Sequence, residues 1–138
     1  CVTPSSSLTI ESLLDNAISV WPPVGGCTDS DAVNYDPLAN TDDGSCDYTS
    51  YTIKTLGMTF SPDTLMCDVG DTINFILGSN HNAVEVDEAT FLSGVNTSNG
   101  GFNFVYGATG MYIPVTGKTY YYVCSPHLPD MKGVIIVQ

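Results

Sequence analysis

The chain has 138 residues, of which 43% are hydrophobic and 13% are charged, and this composition is typical of a folded domain with an apolar core. Fifteen acidic residues stand against three lysines and no arginine, which gives a formal net charge of −12 at pH 7. Such a surface repels phosphates and excludes nucleic acid as a binding partner. No apolar run approaches the roughly 20 residues of a membrane-spanning helix, so we expect no transmembrane segment.

The sequence begins at Cys1 and continues with the small polar residues VTPSSS, an arrangement that resembles a mature bacterial lipoprotein. In such proteins the terminal cysteine carries a lipid, so we expect residues 1–25 to contain a lipid-anchor tether. The expected location is the bacterial periplasm or the outer-membrane surface, with the lipid on Cys1 as the only membrane contact. The alternatives are a cysteine placed there by coincidence and a cysteine that pairs with Cys67.

A short helix is predicted in the same N-terminal region, over residues 8–21. Ser7 is available as its N-cap, and the PPVGG sequence at 22–26 ends it. Apolar residues recur along it at the spacing of one helix face. These residues are Ile10, Leu13, Leu14, Ala17, Ile18 and Trp21. We expect this amphipathic helix to lie against its own domain rather than against a partner.

Residues 26–49 form an acidic module whose core sequence is GCTDSDAVNYDPLANTDDGSC, with neither a helix nor a strand pattern. Cys27 and Cys46 bracket this short loop and are predicted to form a disulfide, which indicates an oxidising compartment. The sequence resembles acidic modules repeated in secreted proteins of the Bacteroidetes, which are similar to thrombospondin type 3 calcium repeats. A bound calcium ion and a metal-free spacer are equally open. The candidate calcium ligands are Asp29, Asp31, Asn34, Asp36, Asp42 and Asp43.

Residues 50–138 have the pattern of an all-β domain. Short runs rich in β-branched and aromatic residues are separated by turn residues, which predicts a two-sheet antiparallel sandwich. The runs are YTIKTL, TLMCDV, TINFIL, AVEV, FNFVY, MYIPV, TYYYV and GVIIV. A single helical turn is expected at DEATFLSG. Cys67 shares one strand face with Leu65 and Val69, so it is predicted to be a buried free thiol.

The stretch YYYVCSPHLPDMKG, at residues 120–133, holds three kinds of metal ligand close together: Cys124, His127 and Met131. The other histidine of the chain is His81, at the turn-rich end of a strand. A sandwich brings such strand ends together. Two imidazoles, one thiolate and a weak thioether are the ligands of a blue copper electron-transfer centre. Zinc is the competing metal, although structural zinc sites commonly use cysteine pairs that this sequence lacks.

The segments FSPDTLMCDVGDTINF, NHNAVEV and CSPHLPDMKG resemble the cupredoxins, specifically the plastocyanin and pseudoazurin-like blue copper proteins, over residues 51–138. The resemblance implies a Greek-key sandwich and one copper ion bound by His81, Cys124, His127 and Met131. It also implies that Asn82 hydrogen-bonds across to the cysteine loop. Three residues separate His127 from Met131, whereas amicyanin has two and pseudoazurin has four, so the reduction potential is left open.

This ligand set predicts a one-electron carrier rather than an enzyme, since both histidines are committed to one closed site. Many plant plastocyanins have a tyrosine before the cysteine ligand, but this chain has Val123, so we expect electrons to leave through the edge of His127. Redox partners are expected to dock on the apolar surface around His127, Leu128 and Pro129. The protein is expected to be a monomer. The alternative function is copper storage or delivery in the periplasm or at the cell surface.

Overall fold

The computed structural model describes residues 22–138, so the predicted lipid attachment at Cys1 and the predicted helix over residues 8–21 lie outside the described residues. Among residues 22–138, no helix is long and apolar enough to cross a membrane. The described part of the chain starts at residue 22, contains the acidic module over residues 26–49 and continues with the strands of the β-domain.

The strands form where apolar and polar residues alternate, because such a segment fits a pleated surface with one buried face. The strands are β1 (Gly25–Gly26), β2 (Thr41–Asp42), β3 (Ser50–Leu56), β4 (Thr59–Ser61), β5 (Thr64–Cys67), β6 (Thr72–Ile76), β7 (Ala83–Val86), β8 (Ser98–Phe104), β9 (Thr109–Tyr112), β10 (Thr119–Val123) and β11 (Lys132–Val137). The helical elements are helix α1 (Glu88–Ser93) and a 3₁₀ turn (Ser125–His127). Each of the eight predicted runs overlaps an observed strand.

Two sheets face each other across the core of the β-domain. One sheet has the strand order β5-β11-β10-β7-β8 and the other has β4-β3-β6-β9, while β1 and β2 pair within the acidic module. The predicted all-β sandwich is confirmed. The expectation of purely antiparallel sheets is corrected, because β3 pairs parallel with β6 and β5 pairs parallel with β11. Between the two strands of each pair, the chain passes through the opposite sheet and returns in its starting direction.

The inward-facing side chains of the two sheets form the main apolar core. Ile53, Phe75, Tyr122 and Ile135 have no exposed surface, and each occupies an inward position in the alternation of its strand. Burial of each large apolar side chain stabilises the fold by about 1.5–3 kcal/mol. Cys67 lies in the same core as a buried free thiol, as predicted.

Helix α1 packs against the five-stranded sheet and completes a second, smaller apolar cluster. Its Phe91 ring lies 4.9 Å from the ring of Tyr121, measured between centroids. The helical turn expected from the sequence is thus confirmed as a helix of six residues. Val123 faces this cluster and Cys124 faces the main core, as the alternation of β10 predicts. The buried members of the smaller cluster are Val84, Val86 and Val123.

The acidic module is closed by the predicted disulfide between Cys27 and Cys46, whose Cα atoms are 4.7 Å apart. Its aspartates hold tight turns by accepting backbone N–H groups two residues ahead. The aspartates in these turns are Asp29, Asp36, Asp42 and Asp43.

The Tyr48 hydroxyl donates to the Asp29 carboxylate at 2.7 Å. The Tyr48 ring also packs on Gly70, so closely that a Cβ there would lie 2.7 Å from the ring. Tyr48 therefore joins the module to the turn between β5 and β6.

Tyr122 carries a buried hydroxyl that has no hydrogen-bond partner within residues 22–138. Its ring packs against Phe60 and Phe75 at centroid distances of 4.7 and 5.5 Å. A buried polar group without a partner costs about 1–3 kcal/mol. We therefore expect Tyr122→Phe to raise the free energy of unfolding of the metal-free protein by about 1 kcal/mol, measured by urea denaturation.

Tyr120→Phe is the matched control for this prediction, because the Tyr120 hydroxyl donates to the carbonyl oxygen of Thr116 at 3.1 Å. Removing that hydroxyl deletes this hydrogen bond, so we expect the free energy of unfolding to fall by about 1 kcal/mol. A similar loss of stability in both variants would contradict the prediction, since it would show that the Tyr122 hydroxyl has a partner in solution.

Candidate metal centre

The turn that follows β6 places His81 at one end of the sandwich. The His81 N–H donates to the carbonyl of Gly78 at 2.9 Å, and the Gly107 N–H donates to the carbonyls of both residues at 3.1 and 3.2 Å. A Cβ at Gly78 would lie 3.1 Å from the His81 ring. A side chain at position 78 would therefore crowd the His81 imidazole, which lies against the space that a Cβ would fill.

The loop from Cys124 to Met131 supplies the remaining candidate ligands and is held by its own backbone. The Cys124 N–H donates to the carbonyl of Met131 at 3.0 Å, which places the first and last residues of the loop side by side. Inside the loop, the His127 N–H donates to the Cys124 carbonyl at 3.1 Å, and the Met131 N–H donates to the His127 carbonyl at 2.9 Å. These bonds turn His127 back toward the cysteine.

The structure brings His81, Cys124 and His127 together. The Cys124 Sγ lies 3.7 Å from His81 Nδ1 and 3.3 Å from His127 Nδ1, and the three ligand atoms all lie within 4.8 Å of one another. Ligands that bind one ion at about 2.0–2.3 Å stand roughly 3–4 Å apart, so the set fits a single metal ion. Met131 is fully buried in the same core cluster as Cys124.

Burial shifts the pKa values of His81 and Cys124 in this site. Burial lowers the pKa of His81, and the neighbouring His127 ring lowers it further, so the His81 imidazole is neutral at pH 7 and has a lone pair for a metal. Burial raises the pKa of the Cys124 thiol. The backbone N–H groups of Asn82 and His127 oppose that rise because they stabilise the thiolate. Metal binding must therefore displace the thiol proton.

Asn82 joins the His81 segment to the cysteine loop through two hydrogen bonds. Its side-chain oxygen accepts the Ser125 N–H at 2.8 Å, and its side-chain nitrogen donates to the Ser125 hydroxyl at 3.1 Å. The bond expected from the resemblance is therefore present. Ser125 itself was missed, although its place directly after the cysteine was the available signal. With both contacts, the amide of Asn82 is fixed in one orientation.

The candidate calcium ligands of the acidic module do not converge in the same way. Among residues 22–138, the group of three or more His, Cys, Asp or Glu side chains with ligand atoms close enough to hold a metal is His81, Cys124 and His127. Asn34 accepts the Asp47 N–H and donates to the Ser45 carbonyl, so it holds the module's own backbone. Calcium binding at the module therefore stays a prediction.

Solved structures share the fold of this chain. One is a pseudoazurin from Sinorhizobium meliltoi, with 21% identity, a TM-score of 0.52 and coverage of 65% of this chain and 74% of that chain. Another is a purple cupredoxin from Nitrosopumilus maritimus, with 22% identity, a TM-score of 0.51 and coverage of 64% of this chain and 99% of that chain. The likeness shows that the β-domain has a cupredoxin fold.

No curated protein matches the sequence. A family model described as copper binding proteins of the plastocyanin/azurin family matches residues 48–138, which is more than half of the chain. This match spans His81, Cys124, His127 and Met131, whose donor atoms suit copper. The chain therefore belongs to the plastocyanin/azurin family of copper-binding proteins.

Proposed function

We propose that this protein carries single electrons through one copper ion held by His81, Cys124, His127 and Met131. The observation that carries the proposal is the convergence of two imidazoles and a buried thiol within 4.8 Å. Met131, which is fully buried in the same core cluster as Cys124, is the proposed fourth ligand. Bound copper would supply a reversible one-electron couple, since thiolate and thioether suit Cu(I) and imidazole suits both oxidation states.

The frame around the ligands supports electron transfer rather than catalysis on a substrate. Cys124 and Met131 have no exposed surface, and His81 is 6% exposed, so a substrate has no access to them. The backbone bonds of the Gly78 turn and of the Cys124–Met131 loop hold these ligands in place. Both histidines of the sequence belong to this set, which leaves none for a second metal site. The closed arrangement also favours a carrier over a copper store, which must exchange its ion.

The partly exposed ring of His127 is the proposed point of electron exit. Exposed Pro126 and Pro129 lie on either side of it, and partly buried Leu128 follows it directly. On the His81 side, the loop bonded to Gly78 carries Tyr106, which is 56% exposed. We propose that redox partners dock on this apolar end, because small apolar contacts permit rapid release.

The disulfide and the net charge support the proposed setting. The Cys27–Cys46 bond persists in an oxidising compartment, so we place the protein outside the cytoplasm. A net charge of −12 favours partners with a basic docking surface and makes encounter depend on ionic strength. These charges affect the rate of encounter, whereas the apolar contact around His127 provides the fit.

The visible spectrum of copper-loaded, oxidised protein tests the proposed function. We expect an intense absorption band from Cu(II)–thiolate charge transfer, which Cys124→Ser abolishes because it removes the thiolate. Met131→Leu should keep copper binding and the band but shift the reduction potential, because it removes only the weak axial thioether. A colourless protein that binds only Cu(I) would contradict electron transfer and support copper storage.

Copper binding should release a proton, because the raised pKa keeps the Cys124 thiol protonated at neutral pH. Thiolate is the binding form, so affinity increases with pH until the pH passes the thiol pKa. At pH 8, where imidazoles are normally neutral, we expect about one proton released per Cu(I) ion and affinity that rises about tenfold per pH unit. Anaerobic titration against a competing chelator measures both quantities. Cys124→Ser is the control, and an unchanged pH dependence in that variant would contradict thiolate ligation.

Electron self-exchange between copies, measured by NMR line broadening, tests the docking end without requiring a known partner. Pro126→Glu puts a charge beside His127 at an exposed position, and we expect exchange to slow by about tenfold because like charges oppose each other across the contact. Leu38→Glu adds the same charge at a site in the module that is 78% exposed. Equal slowing of self-exchange in both variants would show that only the total charge matters. That result would contradict docking at the end around His127.

A further inference from the structure

Helix α1 has no positive charge at its own C-terminal end, and a lysine from another part of the chain supplies one. The last turn of α1 contains no basic residue, although the final carbonyl groups of a helix lack partners inside the helix and attract cations. The Lys132 ammonium donates a hydrogen bond to the Phe91 carbonyl and lies over the Phe91 ring, 4.9 Å from its centroid. Lys132 directly follows Met131, so α1 contacts the neighbour of a proposed copper ligand.

The same helix meets the Cys124–Met131 loop at two further points. Leu128 and Phe91 both pack against the smaller apolar cluster of the β-domain. At the C-cap of the helix, Gly94 has a φ of 73°, and a Cβ there would lie only 3.0 Å from the Cβ of Pro129. A glycine at position 94 thus allows the end of the helix to approach the loop closely. The second half of the loop therefore lies against α1.

Met131 and Lys132 direct their side chains to opposite faces of the five-stranded sheet. Met131 is fully buried in the main core. Lys132 is opposite Val123 in the β10–β11 register, and Val123 faces the smaller cluster that α1 completes. Successive side chains of a strand point to opposite faces, and the burial of β11 alternates accordingly. The end of the loop is thus held from both sides, by the core through Met131 and by α1 through Lys132.

The placement of Met131 depends on the protein, because a thioether is a weak axial ligand of copper. A weak bond to the ion does not draw the sulfur into place, so the protein sets the distance between the two atoms. The Met131 N–H donates to the His127 carbonyl at 2.9 Å, which holds the backbone on one side of Met131. The contact of Lys132 with α1 holds the backbone on the other side.

We propose that Lys132 is a positioning residue for Met131, and that it acts by holding the Cys124–Met131 loop against the C-terminal end of α1. The inference rests on the proposed function, because it takes Met131 as the axial copper ligand. The contact between the loop and α1 does not itself involve copper, so it is tested in the metal-free protein. Its effect on the ligand is then tested with copper bound.

NMR of the full-length, metal-free chain tests the contact between the loop and α1. Lys132→Met removes the ammonium and keeps a long apolar side chain at this position. The Met131 methyl resonance is a distinct readout, because Met131 is fully buried and the other three methionines are 57–61% exposed. We expect this resonance to shift and the Met131 amide hydrogen to exchange severalfold faster. The amide hydrogen of His81, in the Gly78 turn, should exchange at its original rate.

Lys118→Met is the matched control for this measurement. It removes the same charge from an ammonium that lies 4.4 Å from the centroid of the Tyr120 ring, at the opposite end of β10 from Cys124. It should leave the Met131 methyl resonance and amide exchange unchanged. An unchanged Met131 in the Lys132→Met protein would overturn the proposal. Equal acceleration at Met131 and His81 would also overturn it, because it would show only a loss of global stability.

The reduction potential of the copper-loaded protein tests the effect of Lys132 on the ligand. Loss of a positive charge shifts the potential by itself, so Lys132→Met is measured both with Met131 present and in the Met131→Leu background. We expect the larger shift with Met131 present, because only there can the loosened loop move an axial sulfur. Equal shifts in the two backgrounds would overturn the proposal, since they would leave only the effect of charge. A chain that forms no copper centre would refute the proposed function, whereas an unchanged metal-free loop would refute the role of Lys132 alone.

Discussion

One pair of hydrogen bonds, between Asn82 and Ser125, connects the two parts of the chain that supply the candidate metal ligands. Strands β7 and β10 pair antiparallel with Val84 opposite Val123. Continuing that register places Asn82 opposite Ser125, just where backbone pairing between the strands stops. The side-chain amide thus replaces the next backbone hydrogen bonds of the ladder. Because His81 and Cys124 are the immediate neighbours of these two residues, this contact fixes their separation.

The site also depends on a balance between burial and charge. A thiol and an imidazole are held away from water, where their charged forms are disfavoured. The N–H groups of Asn82 and His127 offset part of this cost for the thiolate. The surroundings therefore favour an uncharged imidazole at His81 and a protonated thiol at Cys124, whose proton a metal ion must displace. A thiol and two imidazoles held together in this way are complementary to a soft cation.

The sequence predicts the strands and the ligands well because both have strong local signals. The runs that became β6, β7, β10 and β11 contain branched and aromatic residues, and the ligands are scarce residue types concentrated near Cys124. Strand β4 was missed because TFS has only three residues, which is too short a run to show a pattern. The first half of β8, SNGG, was missed because it lacks apolar residues. Position 101 of this strand holds a glycine where the Glu85 side chain occupies the place of a Cβ, a tertiary constraint that no local pattern contains.

The parallel strand pairs and the hydrogen bonds of Ser125 could not be predicted from the sequence, because both depend on which strands become neighbours in the fold. The Cys124–Met131 loop shows a further consequence of that neighbourhood. Val123 and Lys132 form the last rung between β10 and β11, and the bond from Cys124 to Met131 closes the loop directly above it. Both ends of the loop are therefore clamped by the sheet. The residues between them form a self-contained insert, so the loop can change in length while the two sheets beneath it keep their register.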